Sequence, residues 1–520
     1  MTPLFRKVFV LNHRRAVRGI VATMCALLIT RSAWSQSIRF PWSGYAHEPQ
    51  HSAMASVASQ PLNHILWQTA VDLNPQYNGG ELFIHYGSPL ITRSNTVIVP
   101  VKTGASGGFK IEALAGTTGA TNWARSTDYV LPSHGWIPSY SPTLTPKNRL
   151  YFAGGGGTVY YCDTPDTTNS SPFIGQIAFY GMANYAVNTN VYLNNVFICT
   201  PITSDRYGNI FFGFQVTGST PVSLTSGIAR IDYNGTGTWI AVSATVSNAT
   251  VSQVAMNCAP ALSNNHQTLY LAVNNGYSGY GYLIALDSRT LAPLASVRLK
   301  DVKYPSNDAN VDDDGTSSPT VGPDGDVYFG VLENPWYANH DRGWLLHFDS
   351  TLTQTKVPGA FGWDDTASVV PVSMVPSYHG GSPYLLMTKY NNYVEVGGDG
   401  VNKIVILDPQ NSMTDPISGA AVMKEVLTIA GPTPDSEFTN THPNAVHEWC
   451  INSAAVDPFT KSVLANNEDG KLYRWDLTSN TLSETNVLTS GIGEAYTPTL
   501  VGVNGIVYAI NNATLYAIGR

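Results

Sequence analysis

The chain has 520 residues, of which 12% are charged and 43% hydrophobic, whereas a soluble protein usually carries about 25% charged residues. This composition excludes a charged coiled coil and a long disordered chain, and it supplies enough apolar surface for a large core. The formal net charge of −8 also argues against a nucleic-acid partner, because phosphate binding needs a basic surface.

The first 35 residues are typical of a secretory signal peptide. Basic residues precede an apolar run over 20–29, and a small-x-small cleavage site follows at 33–35. The run is too short to span a bilayer, and no later stretch is apolar enough to be a membrane helix. Cleavage leaves 22 basic and 36 acidic side chains, a net charge of −14. We predict a secreted protein, periplasmic or extracellular, with 1–35 as signal peptide and 36–62 as an N-terminal extension.

A short repeat then recurs along the chain, in which a small residue and Pro precede an apolar pair. Six clear copies lie at 88–91, 141–144, 200–202, 259–262, 318–321 and 497–500, and weaker copies lie at 370–372 and 453–456. Successive prolines from Pro142 to Pro319 are 59 residues apart. This period suits one four-stranded blade with long loops.

Short β-rich runs follow each repeat start, as at 149–152 and 268–271, and a third run often ends in Asp, as at 283–287. Convincing helical periodicity is absent. Such blades are too small to bury their faces alone, so they stack around a central axis. We predict that residues 63–520 form one all-β propeller of four-stranded antiparallel blades.

Eight repeat starts predict eight blades, and a seven-bladed ring is the alternative because the region between Pro371 and Ser453 is long and irregular. The chain ends at the third strand of the last repeat. We therefore expect residues 64–69 to supply the missing outer strand, which ties the first blade to the last and removes an exposed edge.

Segment 113–123 resembles the Ala-x-Asp-x-x-Thr-Gly-x-x-x-Trp repeat of quinoprotein dehydrogenase propellers, and 285–290 is a partial copy. Segment 42–52 resembles the opening of many secreted PQQ-like repeat proteins. The resemblance implies a PQQ-like propeller, a fold that serves both dehydrogenases and assembly scaffolds. No two cysteines are adjacent, Ala115 replaces the usual Asp, and no haem-attachment motif occurs. These departures from the enzyme pattern disfavour PQQ as a cofactor.

Residues just before the repeat starts are predicted to form a ring, because the loops that enter the innermost strands lie at one mouth of the channel. This ring is rich in His, acids and aromatics although the chain is poor in charge. The candidates for catalysis are His134, His447, Glu448 and Glu494, and those for ligand binding are His85, Tyr86, Trp136, Asn257, Asp364, Asp365, His442, Trp449 and Tyr496. The functional interpretation is acid/base chemistry or metal binding, and the alternative is loop capping and packing.

Residues 310–315 match the opening of a calcium loop and predict calcium ligands at Asn310, Asp312 and Asp314. The Glu expected at the twelfth position is missing, so an acidic solvated loop is the alternative. Cys199 and Cys258 stand two residues before Pro in adjacent repeats. We predict a disulfide between them, with two buried free thiols as the alternative.

Three functional hypotheses follow, and the sequence leaves open whether the protein is an enzyme. The first is a secreted, monomeric binding or scaffolding module whose channel mouth takes a small molecule, a polymer or a protein. The second is a periplasmic dehydrogenase dependent on PQQ and calcium. The third is a metal-dependent or acid/base enzyme that uses His134, His442, His447 and Glu448.

Overall fold

The computed structural model describes residues 41–520 except 79–80, 83, 277–278, 314, 316 and 492–497. The predicted signal peptide lies outside the described residues. Eight antiparallel blades follow one another along the described chain, which confirms the eight-bladed, all-β propeller. In each blade the strand after a repeat start is innermost. Among the described residues, no helix combines the length and the apolar character needed to cross a membrane.

The strands of the first four blades are given from the inner to the outer edge. Blade 1 has Leu90–Ile91, Thr96–Lys102, Phe109–Ala115 and Thr121–Ser126; blade 2 has Thr143–Leu144, Leu150–Ala153, Thr158–Cys162 and Gly175–Ala178; blade 3 has Val196–Ile198 with Thr203–Ser204, Ile210–Val216, Gly227–Ile231 and Gly237–Ala241; blade 4 has Gln253–Val254 with Ala261–Leu262, Thr268–Asn274, Gly279–Asp287 and Pro293–Arg298. Three strands lie outside this order: Asn310–Val311, which pairs with Gly279–Asp287, and the hairpin strands Tyr77–Asn78 and Glu81–Leu82.

The other four blades follow the same order with one exception. Blade 5 has Thr320–Val321, Val327–Val331 and Trp344–Phe348; blade 6 has Ser368–Pro371, Tyr384–Tyr390, Lys403–Thr414 and Ala421–Ala430; blade 7 has Ala455–Asp457, Ser462–Asn466, Lys471–Asp476 and Thr481–Val487; blade 8 has Leu500–Val501, Val507–Asn511, Thr514–Gly519 and His64–Ala70. Blade 5 has three named strands, and residues 355–359 cover its edge through bridges of Leu345 with Gly359 and of Phe348 with Thr355.

Burial differs from the inside to the outside of a blade. All residues of Thr96–Lys102 and Tyr384–Tyr390 are buried, whereas outer strands such as Pro293–Arg298 alternate between exposed and partly exposed residues. This pattern is expected for antiparallel sheets stacked face to face whose last strand borders water. The apolar core therefore lies between the blades.

The predicted closure is confirmed. His64–Ala70 pairs antiparallel with Thr514–Gly519, with His64 opposite Gly519 and Ala70 opposite Thr514. The last blade thus takes its outer strand from the N-terminal side of the domain.

Two short helices, Met182–Val187 and Thr189–Asn195, lie between blades 2 and 3. The sequence did not predict them, because six or seven residues are too few to show helical periodicity.

The segment 42–55 runs along the ends of the inner strands. Its carbonyl groups accept hydrogen bonds of 2.7–3.0 Å from one amide in each of six blades: Ile91, Leu144, Leu262, Val321, Val369 and Val456. These amides precede the turns to the second strands, whereas the predicted ring residues precede the inner strands. The segment and the ring therefore lie at opposite ends of the channel. The Val369 bond also places the repeat start of blade 6 at 366–369 and corrects the weak copy at 370–372.

Candidate ligand-binding site at the channel mouth

Hydroxyl groups at the repeat starts connect neighbouring inner strands. The Ser141 Oγ accepts the Ser88 amide at 3.1 Å, and the Ser318 Oγ accepts the Ala259 amide at 2.9 Å. The Ser318 amide in turn donates to the Thr366 Oγ1 at 3.0 Å. A small hydroxyl residue at this position thus satisfies a buried amide of the preceding blade, which gives a physical reason for the repeat.

Segment 42–55 inserts aromatic side chains into the end of the channel that it covers. The Tyr45 hydroxyl lies 2.9 Å from the Thr366 Oγ1, and its ring meets His51 edge-on at 5.3 Å. The His51 Nδ1 donates to the Pro319 carbonyl at 2.7 Å. Burial raises the pKa of Tyr45 and lowers the pKa of His51 to about 4, so both groups are neutral at pH 7.

The opposite end presents two partly exposed tryptophans. Trp136 precedes blade 2 and Trp363 precedes blade 6, so the two residues lie on opposite sides of an eight-bladed ring. The Trp136 ring stacks on the buried His85 with ring centres 5.5 Å apart. The Trp363 Nε1 is buried and has no hydrogen-bond partner within the described chain. The rim of this mouth therefore offers the faces of two partly exposed tryptophans.

A buried charged cluster lies next to Trp363. The Lys389 Nζ is 2.8 Å from the Asp364 Oδ2, and the Lys389 amide donates to the Asp365 Oδ2 at 2.9 Å. Burial alone would lower the pKa of Lys389, but the Asp364 carboxylate raises it overall. Burial raises the pKa of Asp365 well above its usual range, against the opposing charge of Lys389. The cluster contains one carboxyl group more than it has ammonium groups.

A second buried carboxyl group precedes blade 5. The Asp313 Oδ1 accepts the Met256 amide at 2.8 Å and the Asn274 Nδ2 at 3.0 Å. Burial raises the pKa of Asp313 to about 6. Asn257 lies next to it, and its Oδ1 accepts the Ser139 amide at 2.7 Å. Asn257 and Asp313 thus link the loops before blades 2, 4 and 5.

The predicted disulfide is wrong, since Cys199 and Cys258 are both free and buried. The Cys258 Sγ accepts the Ala272 amide of its own blade at 3.3 Å. Burial raises the pKa of Cys258 to about 12 and that of Cys199 further, so both are inert thiols.

The proposed enzyme cluster is not brought together. The His134 Nδ1 lies 2.6 Å from the Pro132 carbonyl in the loop before blade 2. His442 and His447 belong to the loop before blade 7, where the His442 Nδ1 lies 3.0 Å from the Thr441 Oγ1. His447 lies beside Glu468 and not beside His134, so a joint role of these histidines finds no support.

Other predicted residues have structural contacts of their own. The Tyr86 hydroxyl donates to Asp72 at 3.4 Å, away from the ring. Trp449 is fully buried and meets Tyr473 edge-on at 5.7 Å, as the packing alternative expects. The Asn310 side-chain Nδ2 donates to the Glu333 carbonyl at 2.9 Å.

Three predicted residues, Asp314, Glu494 and Tyr496, lie outside the described residues. The calcium site at Asn310, Asp312 and Asp314 therefore stays a prediction, as do the functional roles of the remaining ring residues.

Sequence reasoning missed Lys389, Tyr45 and Trp363. A lysine in the middle of the apolar strand Tyr384–Tyr390 was a usable signal, because a buried charge needs a partner. Trp363 directly precedes the predicted pair Asp364 and Asp365. No local signal marks Tyr45, since its position depends on how segment 42–55 crosses the ring.

Comparisons with known proteins identify the fold. No protein-family model and no curated protein matches the sequence. Among solved structures, a europium-containing methanol dehydrogenase has a TM-score of 0.55 at 11% identity and covers 91% of this chain and 89% of its own. The quinohemoprotein alcohol dehydrogenase from Comamonas testosteroni has a TM-score of 0.56 at 11% identity, covering 96% and 84%. The chain thus shares the β-propeller fold of these two dehydrogenases, as the sequence resemblance predicted.

The described mouth residues do not fit PQQ itself. Asp312, Asp313, Asp364, Asp365 and Glu448 supply five carboxyl groups, and Lys389 supplies one ammonium group. PQQ is a polycarboxylate, and the Lys389 ammonium group is already paired with Asp364, so none of these mouth residues is left to balance the charge of PQQ. We therefore derive no catalytic step through PQQ.

Proposed function

We propose that the protein is a secreted binding module that takes a small cationic ligand at the mouth ring. The mouth ring is defined as His85, Trp136, Asn257, Asp312, Asp313, Trp363, Asp364, Asp365 and Glu448, with Lys389 beneath it. The observation that carries the proposal is the excess of carboxyl groups next to partly exposed tryptophans, at the end of the channel opposite segment 42–55.

Cation binding follows from the chemistry of these groups. Tryptophan faces attract cations, and the attraction grows to about 2 kcal/mol where water is excluded. Nearby carboxylates add Coulomb attraction that is stronger in a partly buried mouth than in water. A bound cation also favours the ionised forms of Asp313 and Asp365, whose pKa values burial raises, so binding is expected to release protons.

The ring is also held in place before a ligand arrives. The Asp313 Oδ1, the Asn257 Oδ1 and the Lys389 ammonium all make hydrogen bonds to groups in neighbouring loops or strands. Such preorganisation lowers the entropy lost on binding. It supports a recognition site as well as a catalytic one.

The proposal is tested by calorimetry and thermal shift with choline and spermidine as probe cations. Binding of either probe should raise the melting temperature in proportion to its occupancy. Trp136→Ala and Trp363→Ala should each weaken binding about tenfold. Trp336→Ala is the matched control, because Trp336 is 49% exposed on a loop of blade 5 and lies outside the mouth ring.

Two results contradict the proposal. One is that neither probe binds, or that the Trp136→Ala and Trp363→Ala variants bind the probes as tightly as the unaltered protein does. The other is tight binding of PQQ with calcium, seen as a quinone absorption band and dye-linked alcohol oxidation, which supports the dehydrogenase instead.

A further inference from the structure

A separate cluster of polar side chains lies at the edge of blade 7. Ligand atoms of Asp435, His447 and Glu468 all lie within 4.8 Å of one another. Asp435 and His447 belong to the loop that leads into blade 7, and Glu468 belongs to the turn after Ser462–Asn466. One loop and one turn thus bring an imidazole and two carboxylates together.

Backbone hydrogen bonds hold the loop and the turn in place. The Asp435 amide donates to the Ala445 carbonyl at 3.0 Å, which closes the loop just before His447. The Glu468 amide donates to the Glu448 carbonyl at 2.9 Å, just after His447. These bonds fix the backbone that carries the three side chains without help from a ligand, as a preorganised metal site requires.

The side-chain atoms that face one another are not saturated by hydrogen bonds. The His447 Nδ1 is buried, lies 3.5 Å from the Glu468 Oε2 and has no hydrogen-bond partner. Asp435 is 7% exposed, and its Oδ1 accepts the Glu437 amide at 2.9 Å, which leaves its second oxygen for a ligand. A buried imidazole nitrogen that faces a carboxylate at 3.5 Å without a hydrogen bond is the second observation that points to a ligand.

The charge balance around the cluster also favours a dication. The Lys471 Nζ contacts the Asp469 Oδ2 at 2.9 Å and the Thr433 Oγ1 at 2.8 Å, so this cation is paired outside the cluster. The negative charge of the two cluster carboxylates is then larger than the positive charge that His447 carries when it is protonated. This excess of negative charge attracts a metal ion.

We propose that Asp435, His447 and Glu468 bind a divalent first-row transition-metal ion. One nitrogen and two oxygen donors suit Zn²⁺ or Mn²⁺, whereas Ca²⁺ prefers oxygen ligands alone. The His447 and Glu468 side chains are 28% and 23% exposed, which gives the ion an entry path and leaves coordination positions for water. This site does not depend on the proposed function of the mouth ring.

The test uses the untagged protein after removal of metal with a chelator, with Zn²⁺ as the probe in calorimetry and Co²⁺ as the probe in visible absorption. One equivalent of Zn²⁺ should bind, and Co²⁺ should give ligand-field bands that Zn²⁺ abolishes. His447→Gln and Glu468→Gln should each weaken Zn²⁺ binding by more than about tenfold, since even residues that support a ligand contribute this much. His442→Gln and Glu437→Gln, the same changes on the same loop, should bind as the unaltered protein does.

Melting curves without metal show whether each variant is folded, and the Co²⁺ spectrum of the unaltered protein tests the site without any substitution. The proposal is overturned if the unaltered protein binds no Zn²⁺ and shows no ligand-field bands. It is also overturned if folded His447→Gln binds Zn²⁺ normally, if the control variants lose binding equally, or if excess Ca²⁺ displaces Zn²⁺.

Discussion

The two ends of the channel are built from different chemistry. At one end, segment 42–55 contacts six inner strands through backbone carbonyl groups, and its buried Tyr45 and His51 are neutral. At the other end, side chains from separate loops form the mouth ring, with an excess of carboxyl groups and partly exposed tryptophans. The difference shows that one end supports the fold while the other carries the groups suited to recognition.

The largest effect on stability is expected at the supporting end, which is the end of the channel that segment 42–55 covers. A chain that starts at residue 59 lacks the carbonyl partners of six inner-strand amides, each hydrogen bond contributing about 1 kcal/mol. It also loses the buried side chains of Trp42 and Tyr45. Because whole domains are stable by only about 5–15 kcal/mol, we expect no cooperative thermal unfolding transition.

A chain that starts at residue 41 is the control and should melt like the mature protein. If the chain that starts at residue 59 also melts cooperatively at the same temperature, the supporting role of segment 42–55 is wrong.

The next effect concerns the buried pair at the mouth. Lys389→Met leaves Asp364 without its cation at a site where both side chains are 1–2% exposed, and we expect a loss of about 3–5 kcal/mol in the free energy of unfolding. Arg298→Met breaks a partly exposed pair with Asp308 and should cost at most about 1 kcal/mol. Urea unfolding measures both. Equal losses would show that the mouth pair is not buried as described.

A smaller effect distinguishes the two ends of the channel through the pH dependence of the free energy of unfolding. The pKa of Asp313 is raised from 3.8 to about 6, so the folded state binds more protons than the unfolded state between these values. Its contribution to stability is therefore complete below pH 4 and is lost as the pH rises through 6. Asp313→Asn keeps an acceptor for the Met256 amide and should gain up to about 3 kcal/mol relative to the unaltered protein between pH 4 and pH 7.

Urea unfolding at several pH values follows this difference. The comparison variant is His51→Gln at the supporting end. The pKa of His51 is lowered, so its contribution to stability changes in the same pH range but comes from a different group. A pH-independent difference between Asp313→Asn and the unaltered protein contradicts the raised pKa.

The blade repeat could be predicted from the sequence because its signals are local. A small residue and Pro precede most inner strands, and a hydroxyl group at this position bonds to the neighbouring blade, as between Ser88 and Ser141. The closing strand at 64–69 followed from the missing fourth strand of the last blade. The blade repeat recurs along the chain, and the closing strand is indicated by a gap in the pattern of the last blade.

The remaining features depend on contacts between distant segments that leave no local pattern. Segment 42–55 acts through carbonyl groups, which every residue has, so its path across the ring could not be predicted. The pairing of Lys389 with Asp364 and the approach of Glu468 to His447 likewise join separate loops. The disulfide prediction failed because equal repeat positions do not bring Cys199 and Cys258 into bonding orientation.

Hydrogen exchange with and without choline or spermidine tests the contrast between the two ends most directly. We predict that the probe slows exchange in the loops at 132–139 and 360–366, which carry Trp136 and Trp363, while segment 42–55 is unchanged. Slowed exchange confined to segment 42–55, or no change in the mouth loops at saturating probe, would contradict the assignment of recognition to the mouth ring.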